Sequence, residues 1–152
     1  MKEFLIVVDM QKDFVDGALG TAEAVAIVPA VCDRIRAFEG DIIVTYDTHE
    51  EDYMTTREGR FLPVPHCIRG TEGWQICPEL ESLRKTEAID KVTFGSKDLA
   101  DILKQEENIE EITFAGVCTD ICVISNALCL KARKLRKNAA FATWRLRAQR
   151  KT

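Results

Sequence analysis

Apolar runs separated by helical stretches organise the chain. Phe4-Leu5-Ile6-Val7-Val8 is continuously apolar, as in a central parallel strand buried on both faces, and it stops at Asp9. Asp41–Tyr46 predicts a second strand, stopped by Asp47, and Glu87–Asp90 a short third one, stopped by Lys91. Glu111–Ala115 predicts a fourth, after which Gly116 lets the backbone turn sharply. Between the first two strands Ile27, Val28, Val31, Cys32, Ile35 and Phe38 recur at helical spacing, which predicts a helix over 22–38 with Pro29 tolerated only near its first turn. Asp98–Gln105 predicts a short helix, and Ile121–Arg133 another, with Thr119 and Asp120 as N-cap candidates. Residues 47–78, with Pro63, Pro65, Gly59, Gly70 and Gly73, predict a loop-rich connection. Strands alternating with helices predict an α/β fold with a parallel sheet and right-handed crossovers.

This pattern locates a site. In open parallel sheets ligands bind outside the carboxyl ends of the strands, and Asp9, Asp47, Lys91 and Cys122 all fall at or just past such ends. A lone aspartate after a strand is ordinarily a turn residue or a cap, but four polar or reactive groups on one rim call for chemistry. Cys122, in the first turn of the last predicted helix, would face unpaired N–H groups and the positive end of the helix dipole, both of which favour thiolate. As a nucleophile it needs a base, a helper charge and oxyanion donors. Asp9 can take its proton and return it to a leaving amine. Lys91 can stabilise thiolate and carboxylate. The N–H groups of Cys118 and Cys122 can form the oxyanion hole. Taken alone, Cys122 fits a buried structural cysteine equally well.

The two histidines, His49 and His66, stand apart from this set. Asp47-Thr48-His49 puts a carboxylate and an imidazole two residues apart after a strand, His66 returns across the loop, and Glu58 lies between them. Together they make a mixed N/O donor set for zinc, iron or manganese. On spacing alone, a metal-free Asp–His pair is the favoured reading of so short a motif.

Composition narrows the setting. At 152 residues, 46% hydrophobic and 30% charged, the chain has the material for one α/β core and too little for two domains. No apolar run reaches the roughly 20 residues that span a bilayer. The start, Met1-Lys2-Glu3-Phe4, carries no signal-peptide pattern, and the six cysteines show no CxxC spacing. The expectation is a cytoplasmic protein with reduced thiols. The net charge of −4 hides an asymmetry: nine of the 21 Lys and Arg lie in residues 131–152, which leaves 12 against all 25 acidic residues in the first 130. A body so acidic is a poor nucleic-acid binder.

The motifs Asp9-Met10-Gln11-Lys12-Asp13-Phe14, Thr45-Tyr46-Asp47-Thr48-His49, Pro65-His66-Cys67-Ile68-Arg69-Gly70-Thr71, Lys91-Val92-Thr93-Phe94-Gly95-Ser96 and Gly116-Val117-Cys118-Thr119-Asp120-Ile121-Cys122-Val123 occur in that order. With them the chain resembles the isochorismatase-like cysteine hydrolases, the group that includes nicotinamidases, from Phe4 to about Lys131. The resemblance implies a three-layer α/β/α fold with a mainly parallel central sheet. It implies a catalytic triad of Asp9, Lys91 and Cys122 that hydrolyses a small carboxamide such as nicotinamide through a thioester, a reaction of NAD salvage. It further implies a non-proline cis peptide at Val117–Cys118 and substrate contacts from Phe14 and Val117. A divalent metal would be held by Asp47, His49 and His66, with Glu58 as a fourth candidate because Tyr53 stands where many nicotinamidases have another histidine. Relatives commonly form homo-oligomers. Isochorismate itself is disfavoured as substrate, since members acting on it generally lack the cysteine at the position of Cys122.

Two departures stand out. The segment Leu62-Pro63-Val64-Pro65 lacks the aromatic expected before His66, so Phe61 or Trp74 is the candidate for the second wall around a substrate ring. After Lys131 the family's last strand and helix give way to a basic segment, 131–152, without acidic residues. The abruptness of the change favours a shifted or truncated reading frame over a natural basic tail or a segment for anionic partners. The fold is then expected as a domain over 1–130 with its last strand and helix missing or altered, and with an exposed sheet edge. Two other functions stay open: hydrolysis of another small amide or N-carbamoyl compound, and non-catalytic binding through the basic segment.

Overall fold

The computed structural model describes residues 2–132 and the backbone of 140–142. Five parallel strands form one sheet: β1 (Lys2–Val8), β2 (Asp41–Asp47), β3 (Ile89–Lys91), β4 (Ile109–Gly116) and β5 (Ala140–Ala142), in the order β3-β2-β1-β4-β5. Helices α1 (Lys12–Val15), α2 (Ala22–Ala37), α3 (Arg57–Phe61), α4 (Pro78–Glu81), α5 (Lys97–Gln105) and α6 (Ile124–Ala132) fill the connections. The alternation of β1 sorts two cores. Leu5 and Val7 join Val31, Ile35 and Leu80 of α2 and α4 on one face. Phe4, Ile6 and Val8 join Leu99, Leu103 and Leu130 of α5 and α6 on the other. Helices thus cover both faces, the three-layer arrangement expected. The direction of winding reverses between β1 and β4, so the crevice at their carboxyl ends is the topological switch point.

Two local expectations are corrected. Pro29 lies in the middle of α2, not at its start. Pro29 and Val25 are both solvent-exposed, so the Val25 carbonyl freed by the missing N–H stays hydrated and the helix continues. The loop-rich stretch 47–78 holds a 3₁₀ turn at Tyr53–Thr55 as well as α3. At the sheet edge a short strand, β5, pairs residues 140–142 with Glu111–Thr113 of β4, in keeping with a last strand that is missing or altered. The remainder of the basic segment, 133–139 and 143–152, lies outside the described residues, and with it the expectation of an altered reading frame. Among the described residues no helix is long and apolar enough to cross a membrane.

Candidate active site

The rim expected from the strand ends exists, and its first residue is held in an unusual backbone state. Asp9 follows β1 with φ 50°, in the left-handed region that a non-glycine residue occupies at a cost. This turns the chain off the sheet and leaves the Asp9 carboxylate fully buried. Its Oδ1 accepts from the Thr45 hydroxyl at 2.6 Å, and its Oδ2 lies 2.7 Å from Lys91 Nζ. Thr45, two residues before Asp47 and therefore on the same side of β2, is a partner that the sequence reading missed. Lys91, at the end of β3, is buried among acids: its Nζ also reaches Asp47 Oδ1 and the Thr93 carbonyl, each at 3.2 Å, and Cys122 Sγ at 3.8 Å. Asp9, Lys91 and Cys122 are thus brought together.

Cys122 arrives by a different local route from the one expected. Thr119–Val123 is a single π turn, followed by α6, and it starts at Cys118 with no side-chain cap from Thr119 or Asp120. Such wide turns frequently mark functional sites. The Cys118 carbonyl accepts from Ile121 N at 3.2 Å and Val123 N at 3.1 Å, which ties the backbone of Cys118 and Cys122 into one loop. Among the described residues no peptide bond is cis, so the expected cis bond at Val117–Cys118 is absent. Gly116 makes the turn instead. Its φ is 127°, and a Cβ there would lie 2.1 Å from the Val8 carbonyl, which also accepts from Val117 N at 3.2 Å.

The electrostatics also differ from expectation. Burial of Cys122, only 4% exposed, pushes its thiol up, and the Asp9 carboxylate adds to this against the pull of Lys91. The helix-terminus effect does not prevail, because the turn seats the sulfur in the interior. Burial likewise raises Asp9, to about 6, although Lys91 lowers it. Burial pulls Lys91 down, but Asp9 and Asp47 outweigh it and the ammonium is held above its usual range. The resting pattern is a carboxylate–ammonium pair beside a neutral thiol, with one proton for Asp9 and Cys122 to exchange.

Beside this set lies the expected donor group. Ligand atoms of Asp47, His49 and His66 all lie within 4.8 Å of one another. His49 Nε2 is 3.2 Å from Asp47 Oδ2, and His66 Nε2 is 3.9 Å from it. Glu58 Oε1 stands at the edge, 3.6 and 3.7 Å from the two Nε2 atoms. His66 Nδ1 is 2.8 Å from the Val64 carbonyl, which can only accept, so Nδ1 carries a proton and the neutral ring offers the Nε2 lone pair to a cation. Burial opposes the charge on His49, but Asp47 prevails and raises it; burial would raise Asp47 as well, but His49 and Lys91 outweigh it and hold the carboxyl below its usual range. Two imidazoles and one ionised carboxylate, with a second carboxylate in reach, fit a divalent metal. Tyr53 is no ligand: it packs edge-on against both imidazoles and donates its hydroxyl to the Leu62 carbonyl at 2.8 Å.

Of the substrate-contact candidates, Phe14 is buried with its ring 5.4 Å from that of His66, and Val117 is buried at the β4 end. Trp74 is committed elsewhere, stacked on Tyr46 at 4.7 Å and donating to Thr48 Oγ1 at 2.8 Å. Phe61 is 82% exposed at the end of α3. Two further polar residues, Gln11 and Asp13, lace the loops together. Gln11 binds the backbone of Asp47, and Asp13 Oδ2 accepts from Cys67 N, next to His66, at 2.8 Å. Their only trace in the sequence is their place between Asp9 and Phe14.

Comparison with known proteins places this geometry. Residues 3–135 match the model of the isochorismatase domain family. An uncharacterised isochorismatase family protein of Bacillus subtilis is 35% identical over 144 residues, covering 84% of this chain and 78% of that protein. Among solved structures, a nicotinamidase/pyrazinamidase of Bacillus subtilis superposes with a TM-score of 0.79 at 29% identity, covering 93% of this chain and 82% of that one. A pyrazinamidase of Pyrococcus horikoshii in complex with zinc superposes with a TM-score of 0.70 at 33% identity, over 88% and 80% of the two chains.

Proposed function

The chain belongs to the isochorismatase domain family, and from that premise we propose that it is a cysteine amidohydrolase, acting on nicotinamide or a close carboxamide to give the carboxylic acid and ammonia. The observation that carries the reading is the buried Lys91 ammonium, 2.7 Å from the Asp9 carboxylate and 3.8 Å from Cys122 Sγ, at the switch point of the sheet. In this reading Asp9 takes the Cys122 proton, and Lys91 offsets the charge that then rests on sulfur. The thiolate attacks the amide carbon, and N–H groups of Cys118 and Cys122 receive the oxyanion. Asp9 gives its proton to the departing nitrogen, ammonia leaves, and a thioester remains. A water deprotonated by Asp9 hydrolyses it, releasing the acid and restoring the thiol. Phe14 and Val117 line the substrate.

Asp47, His49 and His66, with Glu58 at the edge, would hold the divalent metal, which supplies a Lewis-acidic seat for a heteroatom of the substrate. Zinc is the first candidate, because the Pyrococcus horikoshii structure is a zinc complex. Residues 1–130 hold every residue of this chemistry, and the basic segment 131–152 adds the end of α6 and the edge strand β5. The working setting is cytoplasmic and the enzyme homo-oligomeric. A second reading, hydrolysis of another small amide, draws support from one observation: Trp74, a candidate for the second wall beside Phe14, is engaged by Tyr46 and Thr48 instead.

The test is ammonia release from nicotinamide by purified protein, beside Cys122→Ala, with and without added zinc, iron or manganese. Metal-dependent release that the substitution abolishes is the expected result. Unchanged release by Cys122→Ala would end the triad assignment. Hydrolysis of other small carboxamides but not of nicotinamide would favour the second reading.

A further inference from the structure

The ladder between β1 and β2 ends at the pair Val8–Thr45, because Asp9 turns away, yet β2 continues to Asp47. The edge of Asp47 facing β1 would therefore leave a buried N–H and C=O without partners. The Gln11 side chain fills this place. Its Oε1 accepts from Asp47 N at 2.7 Å, and its Nε2 donates to Asp47 O at 2.8 Å and to Trp74 O at 2.9 Å. Both amide protons are used, and the side chain is fully buried. The segment carrying Gln11 is itself anchored, with Lys12 N donating to Gln75 O and Cys77 N to Met10 O, each at 2.9 Å.

We infer that Gln11 is a positioning residue for the metal site, its carboxamide standing in for a strand neighbour so that Asp47 points its carboxylate at His49 and Lys91. The inference rests on the metal reading given above. The reason is geometric: Asp47 places one oxygen 3.2 Å from His49 Nε2 and the other 3.2 Å from Lys91 Nζ, so a small rotation of its backbone disturbs both. Partners outside the ligand shell commonly set metal affinity by about ten- to a hundredfold.

The experiment measures zinc affinity by chelator competition on the metal-free full chain, wild type beside Gln11→Asn, Gln11→Met and Ser96→Ala, with thermal unfolding of each. Asn keeps the amide but is one methylene too short to reach both groups of Asp47, and Met removes the hydrogen bonds. Ser96 accepts from Leu99 N at 3.1 Å as the N-cap of α5, far along the chain from the metal donors, and serves as the destabilised control. Both Gln11 variants are expected to bind zinc about ten- to a hundredfold more weakly, while Ser96→Ala melts lower with its zinc affinity unchanged. Should Gln11→Met not fold, Gln11→Asn decides. A folded Gln11 variant that holds zinc within about twofold of wild type overturns the inference. A wild-type chain that holds no zinc overturns the metal reading, and the inference with it.

Discussion

The thiol side and the metal side of the rim meet at Lys91 and Asp47 but are built differently. The thiol side stands on strand ends: Asp9 closes β1, Lys91 closes β3, and Gly116 closes β4 just before the π turn that seats Cys122. The metal side stands largely on the long connection after β2, where His49 pairs through its backbone N with Cys67 O at 2.9 Å and through its O with Arg69 N at 2.8 Å. Arg69 also bridges Glu50 and Asp90, each at 2.8 Å. The lesson is one of rigidity. The sheet fixes the reacting groups directly, whereas His49 and His66 owe their places to backbone pairing within the loop and to the Asp13 side chain that binds Cys67 N.

That contrast predicts effects of different size and kind. The largest is at Lys91, which both sides share. Lys91→Met leaves the buried Asp9 and Asp47 carboxylates without their cation, a change that costs about 3–5 kcal/mol when a buried charge loses its partner. Both turnover and thermal stability should collapse, read by ammonia release and thermal unfolding. A stable, active Lys91→Met would break the account of the rim. Next comes Gly116→Ala. The added Cβ meets the Val8 carbonyl at 2.1 Å, and φ of 127° is strained for any side chain. Because backbone, not a pliable side chain, must give, a loss of several kcal/mol, roughly in the range of other severe backbone changes, is expected in chemical denaturation. Wild-type stability in that variant would show that the β4 turn is not as tight as described.

Metal removal separates the sides. Because the donors lie beside the thiol group and not within it, chelation should raise KM and lower kcat/KM, while the rate at which Cys122 is alkylated by iodoacetamide changes by less than about twofold. A parallel loss of alkylation would merge the two sides into one unit. The smallest effect is on pH. Asp9, raised to about 6 by burial, must be ionised to take the thiol proton. kcat/KM should therefore rise with pH through about 6 and fall about tenfold per unit below it. The sign for folding is opposite: a carboxyl raised above its ordinary 3.8 favours the folded state at low pH, and that contribution is lost as pH rises through about 6. Asp9→Asn should remove the rise in the residual activity, and a profile unchanged by that substitution would reassign the base.

How far the sequence reveals this arrangement depends on what holds each part. Asp9, Asp47 and Lys91 were legible because the strand-like segments ending at Val8, Tyr46 and Asp90 place whatever follows them at the carboxyl rim. His49, Glu58 and His66 were legible as a donor set from residue type and order, which the family resemblance tipped from a plain Asp–His pair toward a metal site, but their mutual distances come from loop packing that no periodicity encodes. Gln11, Thr45 and Asp13 escaped the reading, since each acts on a partner at least 36 residues away along the chain. The thiol's electrostatics were misread for the same reason. A helix N-terminus is visible locally, whereas the burial that outweighs it follows from how the π turn docks against β3 and β4.

Whether Cys122 is the nucleophile is decided by trapping its acyl intermediate. Nicotinamide is mixed with metal-supplied protein, the reaction is quenched with acid during turnover, and the digested protein is read by mass spectrometry. A nicotinoyl group is expected on the peptide bearing Cys122, and none in Cys122→Ala, which also releases no ammonia. Full turnover with no acyl group on Cys122, together with hydrolysis by Cys122→Ala, would contradict that role.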